Sequence, residues 1–476
     1  MRLDELLRAV PVKQIVGDPA VVEVSSIVHD SRSVTDGALF CCVRGALVDG
    51  HELAAGAVDA GAVALLCERT LPLTVAQAVV RETRAAMGPI AAALYGDPSR
   101  SLEVVGVTGT NGKTTTTHLL QSILEVAGRP AAVIGTLTGP RTTPEATELQ
   151  AQLAALRDEG VKAVAMEVSS HALAQHRVDG TWFRVGVFTN LSRDHLDFHE
   201  TLDNYFEAKA SLFIPDRCAM AVVNIDDPWG RRLSERLTIP WQPCSLDLVE
   251  GIEVRADWSR CRWEGVELRV PLGGRFNLMN ALTAAVTAHM LGISPAVIAE
   301  GLSQVGPVAG RFEVVDAGQP FRVFVDYAHT PDGLEQLLVA AREIAGPNRF
   351  SERRGRVLVV FGAGGDRDHT KRAPMGEVVA RLADQVVLTS DNPRSEDPSA
   401  IIDGVLEGIA DRSQVIVEPD RRAAIDAAIS RAREGDVVVI AGKGHETTQI
   451  TGDVVVPFDD RAVARKLMEA RSWSAS

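Results

Sequence analysis

Residues Gly106–Leu120 read GVTGTNGKTTTTHLL. An apolar run, Leu102–Val107, leads into a Gly-rich turn at Thr108–Gly112, and a helical pattern opens on Lys-Thr. Leu119, Leu120, Ile123 and Leu124 share one face of that helix, and Gly128 follows its end. Strand, Gly-rich turn and helix together make a phosphate cradle. Backbone N–H groups and the helix N-terminus stabilise the anion, Lys113 reaches the terminal phosphates, and Thr114 is placed to hold Mg²⁺. The strict form of this loop wants glycine six positions before the lysine, where this chain has Val107. Nucleotide binding is still expected, because the element order around the turn is the one a bound phosphate requires.

The pattern continues outward. AVIG, VKAVAMEVSS, VGVFTNLS and AVVNIDD read as buried strands separated by helices, which predicts a mostly parallel sheet. Glu253–Leu272 alternates like antiparallel hairpins, and Asn277–Leu291 returns to helix. A further series begins near Arg311: FRVFVDYA, VLVVFGAG, QVVLTSDN, VIVEPD and VVVIAGKG. Each of these strands ends in a polar or Gly-rich loop, where open α/β sheets bind ligands. Toward the start, SSIVHDSRSVTDGALFCCVRG reads as strand, turn, strand, and HELAAGAVDAGAVALLCE as helix into strand. The expected architecture is α/β in three domains: an N-terminal α/β domain (1–98), a central P-loop ATPase-type domain (99–309) whose mostly parallel sheet carries a small antiparallel section, and a C-terminal Rossmann-like domain (310–476).

A length of 476 residues agrees with that division, since one core rarely grows past ~300 residues. The net charge of −14 argues against a duplex nucleic acid or an anionic membrane as partner, because both need a basic face. No apolar stretch reaches membrane-spanning length, and MRLDELLRAVPVKQ lacks the apolar core of a signal peptide. A cytoplasmic location is expected. Cys41, Cys42, Cys67, Cys218, Cys244 and Cys261 form no C-x-x-C pair, which favours reduced thiols.

Several positions carry metal or proton chemistry in principle. MEVSSH puts Glu167 at the end of a strand beside the phosphate loop, where a carboxylate suits Mg²⁺. NLSRDHLDFH holds His195 and His199 four apart, the spacing of a zinc pair on one helix face. No third ligand lies nearby in sequence and no H-E-x-x-H is present, so zinc is disfavoured. Ser169-Ser170-His171 suggests a nucleophile and base. Adjacent side chains on a strand face opposite ways, and no G-x-S-x-G elbow exists, so serine hydrolase chemistry is disfavoured.

TGTNGKTT resembles the ATP loop of the Mur ligase superfamily, which includes the folylpolyglutamate synthetases. These enzymes activate a carboxylate as an acyl phosphate and let an amine attack it. The resemblance covers nearly the whole chain. It implies that ATP lies on Gly109, Thr110, Asn111, Gly112, Lys113, Thr114 and Thr115. Asn277 and Asn280 (FNLMNALTAA), Arg311 (GRFE) and Asp326 (DYAHTPDG) are implied as further ATP contacts, Arg311 at the phosphates and Asp326 at the ribose. Lys113, Glu167, His195 and Lys209 (YFEAKASLF) are the implied catalytic set. Thr114, Glu167, His195 and Lys209, carbamylated by CO₂, are the implied Mg²⁺ site.

The remaining motifs resemble the family members that extend a UDP-N-acetylmuramoyl-dipeptide. HDSRSVTDGALFCCVRG with DGH at 49–51 is similar to their UDP-binding domain, with His29 and Ser31 on the uracil side, while Ala46–Val48 departs from the usual polar loop. RTTPEA is similar to the NTTP motif that grips the acceptor through Thr142 and Thr143, although Arg141 replaces asparagine and the stretch before it is short. Ser169, Gln175 and Arg177 occupy further acceptor positions; an arginine fork matches a carboxylate. SDNPRSEDP contains DNPR, the family's meso-diaminopimelate motif: Asp391, Asn392, Pro393 and Arg394. Arg367 (GAGGDRD) and Gly442 and Glu446 (AGKGHE) accompany it. Arg394 would pair with the distal carboxylate, and Glu446 suits the substrate amine.

The resemblance therefore implies a monomeric ligase that uses ATP and Mg²⁺ to add meso-diaminopimelate to the D-glutamyl γ-carboxylate of UDP-N-acetylmuramoyl-L-alanyl-D-glutamate. Its partners would be these small molecules, without nucleic acid or membrane. One alternative is the same chemistry with L-lysine or another diamino acid. A second is a non-catalytic nucleotide-sugar-binding protein on the same fold. No residue is singled out as general base.

Overall fold

The computed structural model describes residues 1–45, 48–345 and 354–471. Its first sheet runs Gln14–Val16, Ala76–Val79, Ala62–Cys67, Ala38–Cys41, Ser26–Val28 in spatial order. Only the first pair is antiparallel. The strand–turn–strand segment of the sequence thus pairs in parallel rather than closing a hairpin. Helix Thr83–Leu94 covers one face, with Met87, Ile90 and Ala91 buried against Leu39, Leu66 and Ala78.

The second sheet is six-stranded and wholly parallel, in the order Trp241–Cys244, Ala221–Asn224, Val185–Phe188, Glu103–Thr108, Ala163–Glu167, Ala131–Ile134. Its central strands are apolar and buried through Val104–Val107, Ala163–Met166 and Val185–Phe188, as burial on both faces requires, while the edge strand Trp241–Cys244 leaves Gln242 exposed. Helix Lys113–Val126 packs Leu119, Leu120, Ile123 and Leu124 onto Val105, Val107, Val185 and Val187, and helix Arg275–Met290 joins the same core through Leu278 and Leu282. The alternating segment forms a separate antiparallel sheet of Glu250–Val254, Ser259–Trp263 and Val266–Val270.

The third sheet runs Glu313–Val314, Arg322–Asp326, Val437–Ala441, Val357–Phe361, Gln385–Leu388, Val415–Val417, with only the first pair antiparallel. A hairpin, Thr448–Thr451 with Val454–Pro457, stands beside its carboxyl edge. All six cysteines are buried and free. Among the described residues no helix is long and apolar enough to cross a membrane.

The strand order decides where a ligand can sit. Glu103–Thr108 lies between Ala163–Glu167 and Val185–Phe188, so the chain turns to opposite sides from its carboxyl end. Open α/β sheets bind ligands at such a switch point. The carboxyl ends of the second and third sheets face a common cavity of about 1280 Å³.

Candidate functional site

The phosphate loop is built on glycines displaced from the strict pattern. Val107 is fully buried inside the central strand. The conformational demand falls instead on Gly109 (φ +155°), where a Cβ would collide with the Thr189 hydroxyl. Asn190 holds the turn, accepting from Asn111 N at 2.9 Å and donating to Asn111 O at 3.2 Å. Lys113 Nζ donates to the carbonyls of Gly109 and Thr110, each at 2.9 Å. Arg311, remote in sequence, donates to Thr114 Oγ1 at 3.0 Å, and that hydroxyl donates to Glu167 Oε1 at 3.0 Å. Asn111 Nδ2 reaches Asp332 Oδ2 at 2.9 Å. The loop, Glu167 and the third unit therefore meet at one point.

Glu167 is 1% exposed. Besides Thr114, its carboxylate accepts from Thr136 N (2.8 Å) and Thr136 Oγ1 (3.2 Å), and Thr136 Oγ1 touches Thr142 Oγ1 at 3.0 Å. Thr136 was not singled out from the sequence. The hard oxygens of Thr114 and Glu167 suit Mg²⁺. His195 lies at the cavity wall in a left-handed conformation (φ +55°), and burial pushes its imidazole down to about 3, leaving the neutral form that binds metals.

Two readings of this region need correction. The sequence showed no third imidazole near His195 and His199, yet the fold brings His171 to 4.7 Å and 5.5 Å from their ring centroids. Even so, His199 Nε2 lies 2.9 Å from Ser170 Oγ, and among the described residues no three His, Cys, Asp or Glu side chains form a metal-binding group. A zinc centre is not supported. Ser169–His171 is also not strand. Glu167 ends the strand, and Ser169 caps helix Ser170–Ala174 by accepting from Ala172 N.

Lys209 is 1% exposed and donates to Gly109 O at 2.8 Å, the same carbonyl that Lys113 uses. Burial pushes the Lys209 amine well below its usual range; Lys113 adds to that, and Asp194 opposes it. Asp194 was also missed from the sequence. Its carboxylate lies 3.4 Å from His195 Nε2, 3.6 Å from Lys371 Nζ and 3.9 Å from His329 Nε2. Burial works against its charge, but His195, Lys371 and His329 hold it well below the usual carboxylate range.

At the next corner Thr143 Oγ1 donates to Glu167 O at 2.9 Å and accepts from Ser169 N at 3.1 Å. Arg177 donates to Thr143 O (3.3 Å) and Gln175 Oε1 (2.7 Å), and its Nε lies 3.1 Å from Glu145 Oε1. Arg84, from the first sheet's helix, takes the other Glu145 oxygen at 3.0 Å. Arg141 is exposed and pairs loosely with Glu148 at 3.4 Å. Gln175 supports Arg177 and is not on the cavity wall. His29 and Ser31 also lie away from this cavity; His29 Nδ1 sits 3.1 Å from Thr147 Oγ1. Ala46 and Leu47 fall outside the described residues.

Arg367, Asp391, Asn392, Arg394, Gly442 and Glu446 line the third corner; Pro393 does not reach the wall. Asn280 reaches the cavity, whereas Asn277 is buried behind it, donating to Gly273 O and accepting from Asn280 Nδ2. Asp326 is at the wall, but its two oxygens accept from Phe312 N and Ala328 N, so it orders the Arg311 loop. Asn277 and Asp326 therefore both support neighbouring backbone.

Residues 23–96 match the Mur ligase family catalytic domain, 107–288 the Mur ligase middle domain, and 310–444 the Mur ligase glutamate ligase domain. The UDP-N-acetylmuramoyl-L-alanyl-D-glutamate--2,6-diaminopimelate ligase of Syntrophomonas wolfei is 44% identical, over 99% of this chain and 100% of its own. The enzyme of that name from Streptomyces coelicolor is 44% identical, over 94% and 93%. A solved structure of a ligase with this name superposes with a TM-score of 0.68 at 30% identity, over 99% of both chains. The MurF ligase of Thermotoga maritima, solved with ADP, shares the fold at a TM-score of 0.66 and 19% identity, over 94% of this chain and 97% of its own. With the phosphate loop, the buried acid and the buried lysine assembled on that fold, the chain belongs to the Mur ligase family.

Proposed function

We infer that the chain is an ATP-dependent, ADP-forming ligase that adds meso-diaminopimelate to the D-glutamyl γ-carboxylate of UDP-N-acetylmuramoyl-L-alanyl-D-glutamate, in peptidoglycan precursor synthesis. The observation that carries this reading is a single cavity lined by Lys113, Thr114 and Arg311, by Thr143 and Arg177, and by Arg367, Arg394 and Glu446. Residues 1–98 would hold the uridine nucleotide, 99–309 ATP, and 310–476 the amino acid, in a cytoplasmic enzyme.

The chemistry follows from that grouping. A γ-carboxylate oxygen attacks the terminal phosphorus of ATP and ADP leaves. The free amine then attacks the acyl carbon, and the tetrahedral intermediate expels phosphate as the nitrogen loses its proton. Lys113 and Arg311 stabilise the charge on the transferring group, because fixed cations in a dry site act without reorganising. Thr114, Glu167, His195 and a carbamylated Lys209 would hold Mg²⁺, whose contribution is to screen phosphate charge. Lys209 has a reason to be modified: burial favours its neutral amine, the form that adds CO₂, and the carbamate would put an anion beside the Lys113 cation.

Arg177 would pair with an acceptor carboxylate. Glu145 holds it in place while sharing its charge with Arg84, so Glu145→Gln is expected to raise the acceptor KM about tenfold and leave the ATP KM nearly unchanged in steady-state assays. The central test is phosphate release. It should require both the acceptor and diaminopimelate and stay near background when L-lysine replaces the latter. Equal rates with lysine would overturn the specificity. Release independent of both substrates would overturn the ligase reading and favour a nucleotide-sugar-binding protein.

A further inference from the structure

Behind the third corner of the cavity lies a cation that reaches no solvent. The Lys443 side chain is 0% exposed. Its ammonium donates to Asn392 Oδ1 (3.1 Å), Glu446 Oε2 (3.2 Å) and Thr448 O (2.6 Å), which uses all three of its protons. Asn392 is committed in the same way. Its Oδ1 also accepts from Ile450 N at 3.0 Å, and its Nδ2 donates to Glu446 Oε2 at 2.7 Å. Glu446 thus has one oxygen held from two sides, which leaves Oε1 for the cavity.

Charge points the same way. The wall here carries Arg367, Lys371 and Arg394 against Asp368, Asp391 and Glu446, a balance of zero, while Arg421 and Asp460 cancel in a buried pair behind it. Lys443 raises the balance to one positive charge. Diaminopimelate with its attacking amine deprotonated carries two carboxylates and one ammonium, a net single negative charge. L-Lysine in the same state carries one of each and is neutral. The wall with Lys443 matches the first, and without it the second.

We propose that Lys443 is a positioning residue that sets selectivity for the dicarboxylic diamino acid over its monocarboxylic counterpart, by fixing Asn392 and Glu446 and giving the wall its one excess positive charge. This rests on the ligase reading above. The test measures kcat and KM of the full chain for diaminopimelate, L-lysine and ATP, in the wild type and in Lys443→Met. The ratio of kcat/KM for diaminopimelate to that for lysine is expected to fall about tenfold or more, through a higher diaminopimelate KM, with the ATP KM held within about twofold. An unchanged ratio, or an equal loss for every substrate, would overturn the proposal. If Lys443→Met does not fold, Asn392→Asp serves. It is isosteric, keeps the Lys443 acceptor, adds one negative charge and removes the donor to Glu446, so the same fall in ratio is expected and an unchanged ratio again overturns the proposal. A wild type that uses neither amino acid, or uses lysine equally well, overturns the underlying reading and the proposal with it. A selective wild type with an unchanged ratio in the variants overturns only the role of Lys443.

Discussion

Lys209→Met is expected to lower turnover by about 10²–10³-fold while the protein melts at the same temperature or higher. The two outcomes separate because Lys209 is a poor structural residue. Its amine is buried, and its one hydrogen bond goes to Gly109 O, which Lys113 already satisfies. Replacing it with an apolar side chain of similar volume removes a group that burial disfavours in its charged form. A lysine retained for stability would give the opposite result. Lys209→Arg sharpens the comparison, since it keeps a cation but forms no stable carbamate. Equal loss in both variants, with a CO₂ adduct on the wild-type lysine by native mass measurement, would identify the carbamate as the working form. Near-normal turnover in Lys209→Arg would remove it from the reaction.

The contrast between Lys113 and Lys209 also shows what the sequence can carry. Lys113 is legible because its whole environment is local: strand, glycine turn and helix lie within Gly106–Leu120. Even the missing glycine has a local solution in Gly109, two residues beyond Val107, where the turn bends under Thr189. Resemblance placed Lys209, but nothing near it in sequence reveals that it shares a carbonyl with Lys113 across a separation of about a hundred residues. Asp194 and Lys443 escaped for the same reason. Each reads as an ordinary surface charge until the fold surrounds it, Asp194 with His329 and Lys371 from the third unit, Lys443 with Asn392 and Thr448 from neighbouring loops. The central strands were legible because long apolar runs such as Val104–Val107 and Val437–Ala441 have few other places to go. Resemblance assigned Asn277 and Gln175 as ligand contacts, but a motif does not show that Asn277 donates to Gly273 O or that Gln175 accepts from Arg177, since those partners are set by the fold.

Arg394→Ala is expected to raise the diaminopimelate KM about a hundredfold, with the ATP and acceptor KM values nearly unchanged. Two charge-assisted hydrogen bonds at about 1.5 kcal/mol each account for that factor. The backbone supports a binding role over a structural one. Arg394 sits at φ +52°, a conformation that disfavours side chains and persists where surrounding bonds impose it. Here its N–H donates to Ile450 O at 3.1 Å and its carbonyl accepts from Gly452 N at 2.6 Å, so the edge hairpin clamps the residue from both sides. One guanidinium nitrogen donates to Gly365 O, which fixes the fork beside Arg367 and leaves the other donors at the cavity. Alanine keeps the backbone strain and loses only the fork, so the protein should melt within a few degrees of wild type. Arg394→Lys retains the charge but not the planar pair of donors, and should fall between the two. L-Lysine, which has no distal carboxylate, should be used equally poorly by wild type and Arg394→Ala. A diaminopimelate KM that stays put in Arg394→Ala would remove this residue from recognition and leave the distal carboxylate to Arg367.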